Sequence, residues 1–199
     1  MSPSLRETPR GSLQRVCVFC GSSLGRRNAF QEAARELGRL LAAHGIELIY
    51  GGGNCGLMGV LADEVLRGGG RVTGVIPEGF MVKELGHLEL TQLHVVASMH
   101  ERKAMMSSLA DGFVGLPGGF GTLEELFEVI TWGQLGLHRK PVGLLNIEGF
   151  FDPVVNLIQH AILEGFVRPE QRHLVISSAS PKELLQAIGA GQNESGQVP

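Results

Sequence analysis

An apolar run, Phe113-Val114-Gly115-Leu116, passes through Pro117-Gly118-Gly119-Phe120-Gly121 into Thr122-Leu123-Glu124-Glu125-Leu126-Phe127. No other feature restricts the chain so tightly. A buried strand must turn within a few residues into a helix, and glycines let the backbone turn sharply while leaving room for a ligand to come close. The first N–H groups of a helix have no partner inside it, and the helix dipole places partial positive charge there. The turn is suited to an anion, and a phosphorylated ligand is the first inference.

The same order recurs along the chain. Strand candidates are Val16 to Phe19, Glu47 to Tyr50, Arg71 to Ile76, Leu93 to Val96, Gly112 to Leu116 and Val142 to Leu145. Several are continuous apolar runs of the kind buried on both faces. Helical periodicity separates them: Phe30, Ala33, Leu37, Leu40 and Leu41 share a stripe within Ala29 to Ala43, and Leu57 to Leu66 and Phe151 to Leu163 behave alike. Alternating strands and helices predict an α/β fold, a doubly wound, mostly parallel Rossmann-like sheet with helices on both faces and a ligand crevice at the carboxyl ends of its strands. One nucleotide-binding domain is expected over 15–188. The aperiodic stretches 1–14 and 189–199 are expected to be mobile.

Composition narrows the function. A formal net charge of -3 over 199 residues offers no basic field for nucleic acid or for an anionic membrane. Residues 1–14 lack the apolar core of a signal peptide, and no apolar stretch is long enough to span a bilayer, so a cytoplasmic protein is expected. Cys17-Val18-Phe19-Cys20 matches C-x-x-C, but it lies on a strand, where residues three apart face opposite ways; redox pairs sit at helix starts. With three cysteines and scattered histidines, neither a disulfide framework nor a metal site is expected.

Gly51-x-Gly53-x-x-Gly56 invites a dinucleotide reading, with Glu78 near the end of the next strand as the ribose-binding acid. It follows the second strand, however, whereas the fingerprint ordinarily follows the first. Glycines required only for a tight turn are the competing explanation.

Two further segments carry charge into apolar surroundings. Ser98-Met99-His100-Glu101-Arg102-Lys103 begins with a capping box, Ser98 with Glu101, which starts a helix and gives Glu101 a structural task. On that helix Arg102 shares a row with Met105 and Leu109, and Lys103 with Met99 and Met106. Functional cations and cations snorkelling from a half-buried face fit this equally well. His100 reads as packing or capping support. Thr122-x-x-Glu125 can likewise be a capping box, with Glu125 bonded to the Thr122 N–H, or Glu125 can be a carboxylate kept for a cationic centre further along the ligand.

Pro117-Gly118-Gly119-Phe120-Gly121-Thr122-Leu123-Glu124-Glu125 resembles the Pro-Gly-Gly-x-Gly-Thr-x-x-Glu signature of the LOG ("Lonely Guy") family, the cytokinin riboside 5'-monophosphate phosphoribohydrolases. Gly51 to Gly59, Gly74-Val75-Ile76-Pro77, Ser98 to Lys103, Thr131 to Gly136 and Lys140 to Asn146 fall in similar order and spacing over roughly residues 15 to 180. The resemblance implies that Arg102 and Glu125 are catalytic. It also implies that Gly118, Gly119, Gly121 and Thr122 cradle a 5'-phosphate, and that Lys103, Glu124 and Glu84 contact substrate. The reaction would cleave the N-glycosidic bond of a purine nucleoside monophosphate, releasing free base and ribose 5-phosphate, with Glu125 stabilising a ribosyl cation or activating water and Arg102 acting as a clamp. That scheme requires no metal or organic cofactor. A homodimer is implied as well.

Met81 to Glu89 departs from plant members of the family: Leu88 stands where they carry a further acidic position. Base preference is therefore open between an isopentenyl-adenine nucleotide and plain AMP. Proteins with this motif are often called lysine decarboxylases. None of Lys83, Lys103, Lys140 and Lys182 has the setting of a pyridoxal phosphate lysine, so no such activity is expected. The rival of another class is a non-catalytic carrier of a phosphorylated cofactor, of the molybdenum-cofactor-carrier kind, which needs the glycine cradle but not Arg102 and Glu125 together.

Overall fold

A computed structural model describes residues 13–81, 86–87 and 89–194, with side chains as far as residue 190. Its strands are β1 (Arg15–Phe19), β2 (Glu47–Tyr50), β3 (Val72–Pro77), β4 (Gln92–Val96), β5 (Gly112–Gly115), β6 (Val142–Leu145) and β7 (Val175–Ser178). Its helices are α1 (Asn28–His44), α2 (Gly56–Arg67), α3 (Met99–Leu109), α4 (Phe120–Gln134), α5 (Asp152–Leu163) and α6 (Pro181–Glu194).

The strands form one sheet in the order β4-β3-β2-β1-β5-β6-β7, and every pair is parallel. The expected fold class holds, with the sheet wholly rather than mostly parallel. Winding runs outward from β1 to β4, then returns to place β5 on the other side of β1. Cys17 accordingly pairs in register with both Ile49 and Phe113. The switch point lies between β1 and β5, where a crevice opens at the carboxyl ends of the strands.

Alternate residues of β1 feed two cores. Val16, Val18 and Cys20 pack with Leu37 and Leu41 of α1, Leu57 and Leu61 of α2, and Leu184 and Ile188 of α6. Cys17 and Phe19 face the other way, among Met106 of α3, Leu126 and Val129 of α4, and Phe151. The two cysteines thus lie on opposite sides of the sheet, as their spacing requires. Burial of each large apolar side chain contributes about 1.5–3 kcal/mol, so the central strands hold the sheet together. The edge strands β4 and β7 are only partly covered.

Two elements lie beyond the sequence-based expectations. β7 is short, half-polar and at the sheet edge, so it carries neither a continuous apolar run nor strict alternation. Helix α6 runs through the expected boundary at 188 and on to Glu194. Leu184 and Ile188 anchor it on β6, where Gly143 gives them room. Once so anchored, the helix propagates through its glycines at modest cost.

Candidate active site

Helix α4 begins three residues earlier than a Thr122 cap would require. Gly119 is its N-cap, no side chain caps it, and its first turn holds no acidic residue. Of the two alternatives for Glu125, the capping box with Thr122 does not form, because Thr122 already lies inside the helix. Thr122 is buried, and its Oγ1 lies 2.1 Å from where a side chain at Gly118 would begin, so Gly118 is required for the turn to close. Gly119 and Gly121 are different: both are exposed, and nothing lies within 4 Å of an added Cβ. The helix start, with its unpartnered first N–H groups, therefore faces open space.

That space is a crevice of about 310 Å³ whose walls include Gly21, Gly51, Arg102, Gly119, Gly121 and Glu125. Met58, Phe80, Met99, Met106 and Phe120 supply apolar surface. Helix α3 delivers Arg102 to its floor. Ser98 caps that helix by accepting the Glu101 N–H at 3.2 Å, while Glu101 reaches back to the Ala97 N–H at 3.0 Å, one residue before the expected partner. His100, expected as packing or capping support, is exposed.

Arg102 and Glu125 are both buried, at 6% and 9% exposure, and face each other with Nη2 3.9 Å from Oε1. A Cβ on Gly51 would sit 1.9 Å from the same Nη2, so the guanidinium rests directly on the backbone that leaves β2. Arg102 donates weakly to Met99 Sδ at 3.8 Å, and its Nε is buried without a hydrogen-bond partner among the described residues. A buried donor of that kind costs about 1–3 kcal/mol, which favours a group that could accept from it. Beneath the crevice, burial pushes the Cys17 and Cys20 thiols up, and the charge of Glu125 pushes them further. They remain protonated structural residues, not a redox pair.

The chain also matches known proteins. A family model described as "Possible lysine decarboxylase" covers residues 58–188. The chain is 50% identical over 176 residues to the cytokinin riboside 5'-monophosphate phosphoribohydrolase LOG of Oryza sativa subsp. japonica, which covers 88% of this chain and 73% of that protein. Identity with LOG1 of Arabidopsis thaliana is 49% over 175 residues, 88% of this chain and 82% of that one. The chain belongs to the LOG family. Among solved structures, the Moco carrier protein of Chlamydomonas reinhardtii superposes with a TM-score of 0.69 at 20% identity, over 92% of this chain and 99% of that one. This likeness is one of fold alone.

Of the residues that the LOG signature singles out, the structure brings Arg102, Glu125, Gly119, Gly121 and Thr122 to one crevice, with Gly118 shaping the turn. Glu84 lies outside the described residues. Lys103, expected to contact substrate, has Nζ 2.6 Å from Glu124 Oε1 and 3.0 Å from Glu128 Oε1. Those hydrogen bonds, Glu124 first, hold the Lys103 ammonium above its usual value. Sequence reasoning missed Glu128, although its place one helical turn after Glu124 was a usable signal. It also missed Gly51 as the seat of Arg102. The remaining fingerprint glycines are engaged by protein: Gly53 bridges Gly86, and a Cβ on Gly56 would fall 2.3 Å from the Ser22 carbonyl carbon. Packing therefore accounts for the fingerprint without a dinucleotide.

Proposed function

We propose that this chain hydrolyses the N-glycosidic bond of a purine riboside 5'-monophosphate and releases free base and ribose 5-phosphate. The names of its close relatives support this reading. The observation that carries it is the buried Arg102–Glu125 pair across a crevice from an uncapped, glycine-lined helix start. Backbone N–H groups around Gly118, Gly119, Gly121 and Thr122 take the 5'-phosphate, aided by the helix dipole. The ribosyl centre then lies toward Glu125. As the bond from C1' to the purine nitrogen breaks, its electron pair leaves with the base and positive charge grows on the ribosyl carbon. Glu125 stabilises that charge and accepts a proton from the attacking water, while a proton from solvent in the open crevice neutralises the departing purine nitrogen; loss of the Glu125 proton to solvent then closes the balance. An arginine keeps its charge at any working pH, so Arg102 orients Glu125 and accommodates ribose or phosphate oxygens rather than shuttling protons. The methionine and phenylalanine surface suits a purine.

The same reading puts the protein in the cytoplasm. Among the described residues, no helix is long and apolar enough to cross a membrane. It also makes the protein a homodimer, and exposed Leu135, Leu137, Leu157, Leu163 and Phe166 offer apolar surface for a second copy. Light scattering after gel filtration should give twice the chain mass. Lysine decarboxylation is not part of the proposal: Lys103 is held by carboxylates, and Lys140, just before β6 at the amino ends of the strands, donates to the Ser107 carbonyl oxygen at 2.7 Å.

The test is product analysis after incubation with AMP and, separately, isopentenyladenosine 5'-monophosphate. Release of base and ribose 5-phosphate supports the proposal, and the ratio of kcat/KM values fixes base preference. No release from either nucleotide, with a ligand retained stoichiometrically through purification, would favour a carrier.

A further inference from the structure

Lys103 and Arg102 are consecutive on α3, yet they do different things. About 100° of helical turn separates them, so Arg102 points to the crevice floor while Lys103 leaves sideways toward α4. There it meets Glu124 and Glu128, one helical turn apart and flanking Glu125 along α4. The Lys103 side chain is only 11% exposed, so its stem has little freedom to swing elsewhere. Two of its ammonium donors are committed to carboxylates. Counting Lys103 with Glu124 and Glu128 leaves a local charge of about -1, which repels a phosphate dianion. Arg102 and Glu125, by contrast, stand 3.9 Å apart, too far for a hydrogen bond to fix their spacing. Met106 of α3 shares one core with Leu126 and Val129 of α4, and that non-directional packing leaves the finer register of the two helices to a polar tie.

We infer that Lys103 is a positioning residue that ties α3 to α4 through Glu124 and Glu128 and so sets how Arg102 faces Glu125, rather than the cation that receives the phosphate. This inference rests on the hydrolase reading for its kinetic test. The two roles make opposite demands. A phosphate-binding Lys103 is hindered by its two glutamates, so their neutralisation should improve nucleotide binding. A clamping Lys103 needs them, so their neutralisation should reproduce its loss.

The experiment is a double-mutant cycle on the full chain, comparing Lys103→Met, the pair Glu124→Gln with Glu128→Gln, and all three together. For each variant kcat and KM for AMP are measured, with melting temperature as a fold check. The clamp gives a fall in kcat of about 10–100-fold with KM within about threefold, in Lys103→Met and in the glutamine pair alike. The triple variant is then no worse than either, and Lys103→Arg recovers most of the loss. A KM raised at least tenfold by Lys103→Met with kcat kept, or a lower KM in the glutamine pair, overturns the clamp. Should wild type turn over neither AMP nor isopentenyladenosine 5'-monophosphate, the hydrolase reading fails and the clamp is judged by the melting temperatures. Shifts that fall short of additivity by a few degrees uphold it, and additive shifts overturn it.

Discussion

Two glycine turns leave the parallel strands on either side of β1 and enter helices, and they serve different ends. After β2, Gly51, Gly52 and Gly53 are buried and the space beside them is filled by protein: the Arg102 guanidinium at Gly51, the β1 loop at Gly56. After β5, Gly118 is closed by Thr122, but Gly119 and Gly121 open onto solvent and the crevice. The first turn has the textual form of a nucleotide fingerprint and acts as a packing surface. The second is where a ligand can approach the backbone. Glycine density alone does not distinguish them; what occupies the position of the missing Cβ does.

The contrast is easiest to break at Gly56, where φ is 58° and a Cβ would meet backbone at 2.3 Å. Gly56→Ala is expected to destabilise by about 3–5 kcal/mol, seen as a large drop in melting temperature or as insoluble protein. Wild-type stability would show that the β1 loop yields, and the turn would not be closed. Next is Gly51→Ala. It displaces the Arg102 guanidinium, so about 1–3 kcal/mol of stability is lost by overpacking and kcat falls about 100-fold. Calorimetry and steady-state kinetics check both, and unchanged kcat would detach Arg102 from the chemistry.

Across the sheet, Gly119→Ala and Gly121→Ala should change stability by less than about 1 kcal/mol, since nothing obstructs the methyl group. Both should raise KM for the nucleotide about tenfold by crowding the phosphate. Lost stability with unchanged KM would make the second turn a packing surface like the first. The smallest effect is chemical. Burial pushes the Cys17 and Cys20 thiols up, while Cys55, in the closed turn, is half-buried. A thiol titration of native protein at pH 8 should find only Cys55 reacting within minutes, against three cysteines after denaturation. Fast reaction at Cys20 would mean that the crevice floor opens.

Much of this was legible in the chain. The strands at the centre of the sheet announce themselves as apolar runs, and α1, expected over Ala29 to Ala43, extends one residue further at each end and closes at Gly45 in the left-handed conformation. What escaped lies at the edges, where burial is partial and patterning weakens. Even there a signal existed for α6: Ser180 followed by Pro181 and Glu183 has the form of a helix start, and the Glu183 N–H does point to Ser180 Oγ at 3.4 Å. At the site, spacing left Arg102 and Glu125 open between structural and chemical roles, and the resemblance to the LOG signature brought them forward. Their pairing across two helices and the seat of Arg102 on Gly51 are tertiary facts that no spacing encodes; of the capture of Lys103, only the placing of Glu124 and Glu128 one turn apart could be read from the chain. Thr122 and Glu125 misled for a simpler reason. A glycine three residues before the motif's threonine and a threonine with a glutamate three residues on both describe a helix start, and the glycine turn took precedence.

The proposed hydrolysis requires Glu125 to do chemistry, whereas a cap would leave the reaction without its carboxylate. The direct measurement is a pair of assays on Glu125→Gln: calorimetric titration with AMP or isopentenyladenosine 5'-monophosphate, and base release followed by chromatography. With Glu125 in a chemical role, the folded variant binds nucleotide within about threefold of wild type and releases base at least about 10³-fold more slowly. Base release at the wild-type rate from the folded variant would contradict it.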